Sequence, residues 1–207
     1  MIQELKKEHN EWDYPIGRDV PYFDPKCSYE LSGYKPIDGT HGLDFDPSWF
    51  TEASTTYNNT NRFCSFVEGS KAWHDFWELQ YKRMRNGMTV NGYTITGDHY
   101  YFLNFYRLND LTSATKSGSG RKQIFPRFFV AQYEYFHYLE LCKQLKKDAI
   151  GLKARGVGFS EIAASLVTNT YHCRKNSLCL ITAQQQVYVE KTFAKVVVQL
   201  NFGNEHS

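Results

Sequence analysis

Leu152-Lys153-Ala154-Arg155-Gly156-Val157-Gly158-Phe159-Ser160-Glu161 is the stretch on which the fold turns. It lies between an apolar run, residues 149–154, broken only by Lys153, and a helical pattern over 161–171. Ile162, Ala163, Leu166, Val167 and Thr170 recur there at helical intervals and are expected to share one buried face. Downstream, SLCLITA (177–183) reads as a second buried strand and 187–200 as a second helix. Strand, glycine turn, helix and strand make one βαβ unit of about 30 residues. Its two strands would lie parallel, joined by a right-handed crossover. The expected fold class is therefore α/β, with only the first strands of a parallel sheet.

Working outward on the N-terminal side, residues 128–147 show a further helical pattern ending in Lys143, Lys146 and Lys147. Cations in a last turn suit the helix dipole. Before it, SATKSGSGRK (113–122) reads as a flexible polar loop. Residues 88–90 and 93–96 flank Asn91-Gly92, a strong sign of a two-residue hairpin. Trp73, Phe76, Trp77, Leu79 and Met84 place a helix over 68–85, with Asn86-Gly87 as its stop. TTYNNTN (55–61) is polar and reads as a loop. Residues 1–48 hold five of the six prolines and read as an extended, aromatic-packed arm. The chain is thus expected to divide into 1–87, an aromatic-rich α+β region, and 88–207, the beginning of the α/β domain.

The composition narrows the function. The 207 residues are 42% hydrophobic and 22% charged, which excludes a disordered or collagen-like chain. No apolar run approaches the roughly 20 residues that cross a bilayer, and the first residues carry no secretory signal. Five cysteines without a CxxC pair argue against a disulfide scaffold or zinc ribbon, so the cytoplasm is the expected compartment. The net charge of +2 hides an uneven distribution. Residues 1–75 carry 7 Lys/Arg against 13 Asp/Glu, and residues 76–207 carry 17 against 9. The basic portion is suited to a polyanion, although a solvated basic surface has the same composition.

The glycine turn sits where a phosphate-binding loop must sit. The first N–H groups of a helix have no intrahelical partner, and the dipole makes that end electropositive. Glycines let successive N–H groups curl around one anion, a lysine neutralises the β/γ-phosphates, and a hydroxyl holds Mg²⁺. The standard pattern is GxxxxGK[ST]. Here Gly158 and Ser160 fit it, Lys153 stands in place of the first glycine, and Phe159 in place of the lysine. The cation is displaced to the start of the loop, with Arg155 as a second. A plain tight turn would use the same glycines.

KARGVGFSE resembles the deviant Walker A loop of the large terminase subunits of tailed bacteriophages, the ATPases that package DNA into procapsids. The pattern K-x-x-x-x-G-[FY]-S is met by Lys153, Gly158, Phe159 and Ser160. GDHYYFLNFYRL, PRF (126–128) and the helix bearing YEYF (133–136) also look like segments that precede the ATPase core in that family. The resemblance covers roughly residues 88–200, is specific at the loop and only suggestive elsewhere. It implies a P-loop NTPase-type sheet with ATP and Mg²⁺ as cofactors. Lys153 and Arg155 would be the catalytic cations. Gly156, Val157, Gly158 and Phe159 would donate backbone N–H groups, and Ser160 would hold the metal. Gln132 and Tyr133 would take the place of the adenine-contacting element. The implied partners are double-stranded DNA, the portal protein, the small terminase subunit and copies of the chain in a ring, all in the host cytoplasm.

The chain departs from the family in having no later apolar strand ending in an acidic pair and no carboxylate-rich nuclease domain. It is therefore expected to be the N-terminal fragment of a longer protein, binding nucleotide weakly and hydrolysing it poorly. The competing functions are another P-loop enzyme, helicase-like or a nucleotide kinase, and a non-enzymatic binding module. Elsewhere the seven histidines show no metal spacing. The rings of 100–106 are expected in the core rather than stacked on bases. Cys173 and Cys179 are expected to be small buried groups, and Gln184, Gln185 and Gln186 to begin a helix or touch a ligand.

Overall fold

The computed structural model describes residues 35, 37, 45–109, 123–151, 156 and 158–206. The expected arm over 1–48 and the loop over 113–122 lie almost wholly outside them. The described residues fall into two units interleaved along the chain. The smaller draws on 89–95 and 129–151 together with Lys35, Ile37 and Phe45, and the larger on the rest.

The smaller unit holds a hairpin and a helix. Strands β1 (Met88–Val90) and β2 (Tyr93–Ile95) pair across Asn91 (φ 51°) and Gly92 (φ 79°). Two left-handed residues in a row give the turn whose twist matches a hairpin, which is why Asn-Gly signalled it. Helix α4 (Val130–Leu145) ends at Lys146, itself left-handed. Fully buried Tyr93 has Phe45 at 5.0 Å between ring centroids and the Lys35 ammonium 4.0 Å above its ring. The α4 residue Tyr133 donates its hydroxyl to the Lys35 carbonyl at 3.0 Å, and His137 Nε2 bonds the Thr94 carbonyl at 2.7 Å. Burial holds the His137 imidazole well below its ordinary value, at about 4.

The larger unit is helical. A 3₁₀ turn (Pro47–Phe50) leads into α1 (Glu52–Thr60), followed by α2 (Lys71–Asn86), α3 (Gly97–Phe105), the short antiparallel pair β3 (Leu108–Asn109) and β4 (Gln123–Ile124), α5 (Phe159–Cys173) and α6 (Gln186–His206). Helix α2 begins where the Ser70 hydroxyl accepts the Trp73 N–H (3.2 Å) and stops at left-handed Gly87. Helix α3 begins where the Thr96 hydroxyl accepts the His99 N–H, also at 3.2 Å. Eight of its nine residues are buried, so the ring-rich run is core, as expected. The stretch read as a loop, TTYNNTN, is instead the body of α1. Its start is closed from a distance: Asn104 of α3 accepts the Ala53 and Ser54 N–H groups at 3.1 and 3.2 Å and donates to the Phe50 carbonyl at 2.8 Å. Tertiary hydrogen bonding here overrides a weak local propensity.

The core of the larger unit is a ring cluster. Phe63 lies 4.6 Å from Tyr57, 4.9 Å from Phe105 and 6.0 Å from Phe202, mostly edge-on or tilted, the arrangements aromatic quadrupoles favour. Helix α5 docks by polar residues as much as apolar ones. Its buried face is Ile162, Ala164, Ser165, Thr168 and Asn169, whereas Ala163, Leu166, Val167 and Thr170, expected inside with Ile162, are half-buried. Asn169 explains the rotation, because its amide donates to the Met84 carbonyl (3.1 Å) and the Asp98 carboxylate (2.7 Å). A buried amide must be oriented toward such partners.

Among the described residues, neither 149–151 nor 177–183 belongs to a strand. In the second stretch Leu178 and Leu180 are 84% and 81% exposed. Cys179, expected inside, is exposed as well, while Cys173 is half-buried. No helix among the described residues is long and apolar enough to cross a membrane.

Candidate functional site

The start of α5 is where the sequence placed its chemistry. Gly156 (φ 89°) and Gly158 (φ 78°) are both left-handed, a conformation in which a Cβ is strained. Gly158 is the N-cap, and its carbonyl receives the Glu161 and Ile162 N–H groups at 2.9 and 3.0 Å. As a glycine it has no side chain with which to cap the helix. Ser160, at its second position, is exposed. Lys153, Arg155 and Val157 lie outside the described residues. Gln132 and Tyr133 belong to the smaller unit. Gln132 is half-buried, and Tyr133 is fully buried with His137 at 4.7 Å from its ring centroid.

Ser160 and Glu161 form one wall of a cleft of about 440 Å³. The opposite wall is α6, through Tyr188, Lys191, Thr192, Lys195 and Gln199, and Arg107 and Asn109 complete the lining. Small-molecule sites run from roughly 300 to 1,000 Å³. The cleft thus brings three cations, Arg107, Lys191 and Lys195, against one carboxylate, Glu161.

Each charge has a structural reason for its position. The Lys195 ammonium pairs with Glu161 Oε1 at 2.5 Å, and the Tyr106 hydroxyl donates to Glu161 Oε2 at 2.7 Å. Burial, and then the Glu161 charge, raises the Tyr106 phenol far above its ordinary value, so it stays a donor. Arg107 is fixed through its backbone: its N–H donates to the Gln199 amide oxygen (2.8 Å), and the Gln199 amide donates to its carbonyl (2.7 Å). Its guanidinium donates to the Gln123 carbonyl at 2.7 Å and lies over Phe125, Phe202 and Tyr57 at 4.4, 5.1 and 5.3 Å from the ring centroids. Burial lowers Arg107 from its ordinary value, but a guanidinium remains charged at any physiological pH.

The sequence reading found Ser160 and missed the cations facing it. Lys191 and Lys195 stand four apart on the expected helix over 187–200, which put them on one face, and that spacing was the available signal. Gln186, grouped with Gln184 and Gln185 as a ligand contact or helix start, begins α6 and donates to Glu190 at 2.6 Å. Among the described residues no cluster of three or more His, Cys, Asp or Glu is placed to hold a metal ion. No known family model, curated protein or solved structure matches the chain.

Proposed function

We propose that the chain is the nucleotide-binding portion of a large-terminase-type DNA-packaging ATPase, taking Mg-ATP at the loop that opens α5. The observation that carries this reading is the pair of left-handed glycines, Gly156 and Gly158, leading into the start of α5, with Ser160 on the wall of a cation-lined cleft. The first turn of a helix, with its N–H groups and positive dipole end, suits a phosphate. The resemblance of KARGVGFSE to the terminase loop adds the assignment of roles.

In this reading Lys153 neutralises the β/γ-phosphates from the start of the loop and Arg155 adds a second charge. The backbone N–H groups of Gly156, Val157, Gly158 and Phe159 surround the phosphate, and Ser160 supplies a hydroxyl to Mg²⁺. A parallel sheet of the P-loop type, with 149–154 and 177–183 as its first strands, belongs to the same proposal. So do double-stranded DNA as the translocated substrate, and a ring of copies docked on a portal with the small subunit. Tyr133 is left out as a base contact, because its ring is fully buried and its hydroxyl already donates to Lys35.

A ligand that binds only the native state raises its melting temperature. Millimolar Mg-ATP should therefore shift the melting of the purified chain by several degrees, and Lys153→Ala should remove the shift. No shift in the parent chain would overturn the reading in favour of a binding module without nucleotide.

A further inference from the structure

We infer that Lys191 and Lys195 of α6 grip adjacent phosphate groups in the cleft beside Ser160, Lys195 exchanging its Glu161 partner for the incoming anion. The assignment of those phosphates to a nucleotide rests on the function proposed above, but the cation site stands on its own geometry.

Lys191 and Lys195 lie one helical turn apart on the same wall of the cleft. Like charges at that spacing repel, by a few tenths of a kcal/mol on an exposed helix. An anion seated between them removes the repulsion. The pair faces Ser160 at the electropositive start of α5, so two sources of positive potential meet across one gap. Arg107 adds a third, its guanidinium held in place by the Gln123 carbonyl and the rings of Phe125, Phe202 and Tyr57. Among the described residues of the lining only Glu161 opposes an anion, and it is already the target of Lys195 and of the Tyr106 hydroxyl.

When a phosphate enters, Lys195 can turn from a partly exposed carboxylate to a group of higher charge, while Tyr106 continues to donate to Glu161. The ion pair thus masks one of the three cations until the anion arrives. A cleft of about 440 Å³ suits a mononucleotide and is too confined for a duplex.

The test is titration calorimetry on the full chain at low salt, with sodium tripolyphosphate and Mg-ATP as separate probes. Lys191→Gln with Lys195→Gln should weaken tripolyphosphate at least about tenfold. Glu161→Gln should tighten it, because the competing carboxylate charge is gone, a change of sign that a structural role does not produce. Lys82→Gln, exposed on α2, should change nothing, and circular dichroism melts confirm that each variant is folded. If Mg-ATP binds and ignores the α6 lysines, the inference fails while the nucleotide reading survives. If tripolyphosphate binds through those lysines and Mg-ATP does not bind, the cation site holds and the nucleotide reading fails. If duplex DNA displays the lysine dependence and tripolyphosphate does not, the inference is overturned.

Discussion

Helices α3 and α5 of the larger unit begin in opposite ways. At α3 the Thr96 hydroxyl receives the His99 N–H, and the residues that follow are buried. At α5 the chain arrives through two left-handed glycines, the cap residue carries no side chain, and the second helical residue stands on an exposed cleft. The start of α1 resembles that of α3, closed by a side-chain oxygen brought from Asn104. One helix start is thus closed by a side chain fifty residues away, and the other is entered through glycines beside three cations.

Changes on the closed side should carry the largest effects. Asn104→Ala removes an acceptor shared by two buried N–H groups and a donor to the Phe50 carbonyl, and should cost about 4 kcal/mol in urea denaturation. A cost under about 1 kcal/mol would mean that α1 does not depend on α3. Next comes Gly97→Ala, because a Cβ there meets the Met84 carbonyl and the Arg85 backbone, neither of which can move aside cheaply. About 3 kcal/mol is expected, read the same way.

A third effect comes from the smaller unit, where His137 is closed against the Thr94 carbonyl. The unfolded imidazole takes its proton near 6.5 and the folded one near 4, so the unfolded state is protonated first as pH falls. Stability should be complete above about pH 6.5, decline through the window, and be lower by up to about 3 kcal/mol below about pH 4. His137→Gln should flatten that slope in denaturation curves taken across the window.

The two smallest effects address the comparison directly. Thr96→Ala should cost about 1 kcal/mol, the usual value of a hydroxyl cap, and leave Mg-nucleotide binding unchanged. Ser160→Ala should cost under about 0.5 kcal/mol, as an exposed position without a cap, yet reduce the Mg-nucleotide thermal shift. If Ser160→Ala proves the more destabilising of the two, the contrast between the helix starts is wrong.

What the sequence disclosed follows the same division. Helix α2 was legible because its apolar residues keep helical spacing and Asn86-Gly87 stops it, and the hairpin because Asn-Gly is nearly a turn by itself. Helix α3 left no period, since a helix buried on every side has no polar stripe to reveal one. Helix α1 was unreadable for another reason: its start is closed by a residue remote in sequence. The face of α5 was misjudged because apolar spacing was followed where the Asn169 hydrogen bonds decide the rotation. At the site, Ser160 was visible through the glycine pattern. Arg107 and the α6 lysines come from distant stretches, and only the fold of the larger unit brings them to one cleft.

Leu178 and Leu180 stand two residues apart outside either sheet, both more than four-fifths exposed. Two such hydrocarbon groups in a β-prone stretch make a small sticky patch. A patch of this kind is where a second molecule can lay down a strand and start a fibril nucleus. Storage life of the purified chain should therefore shorten with concentration while its melting temperature stays put, and a charge in place of Leu180 should lengthen it.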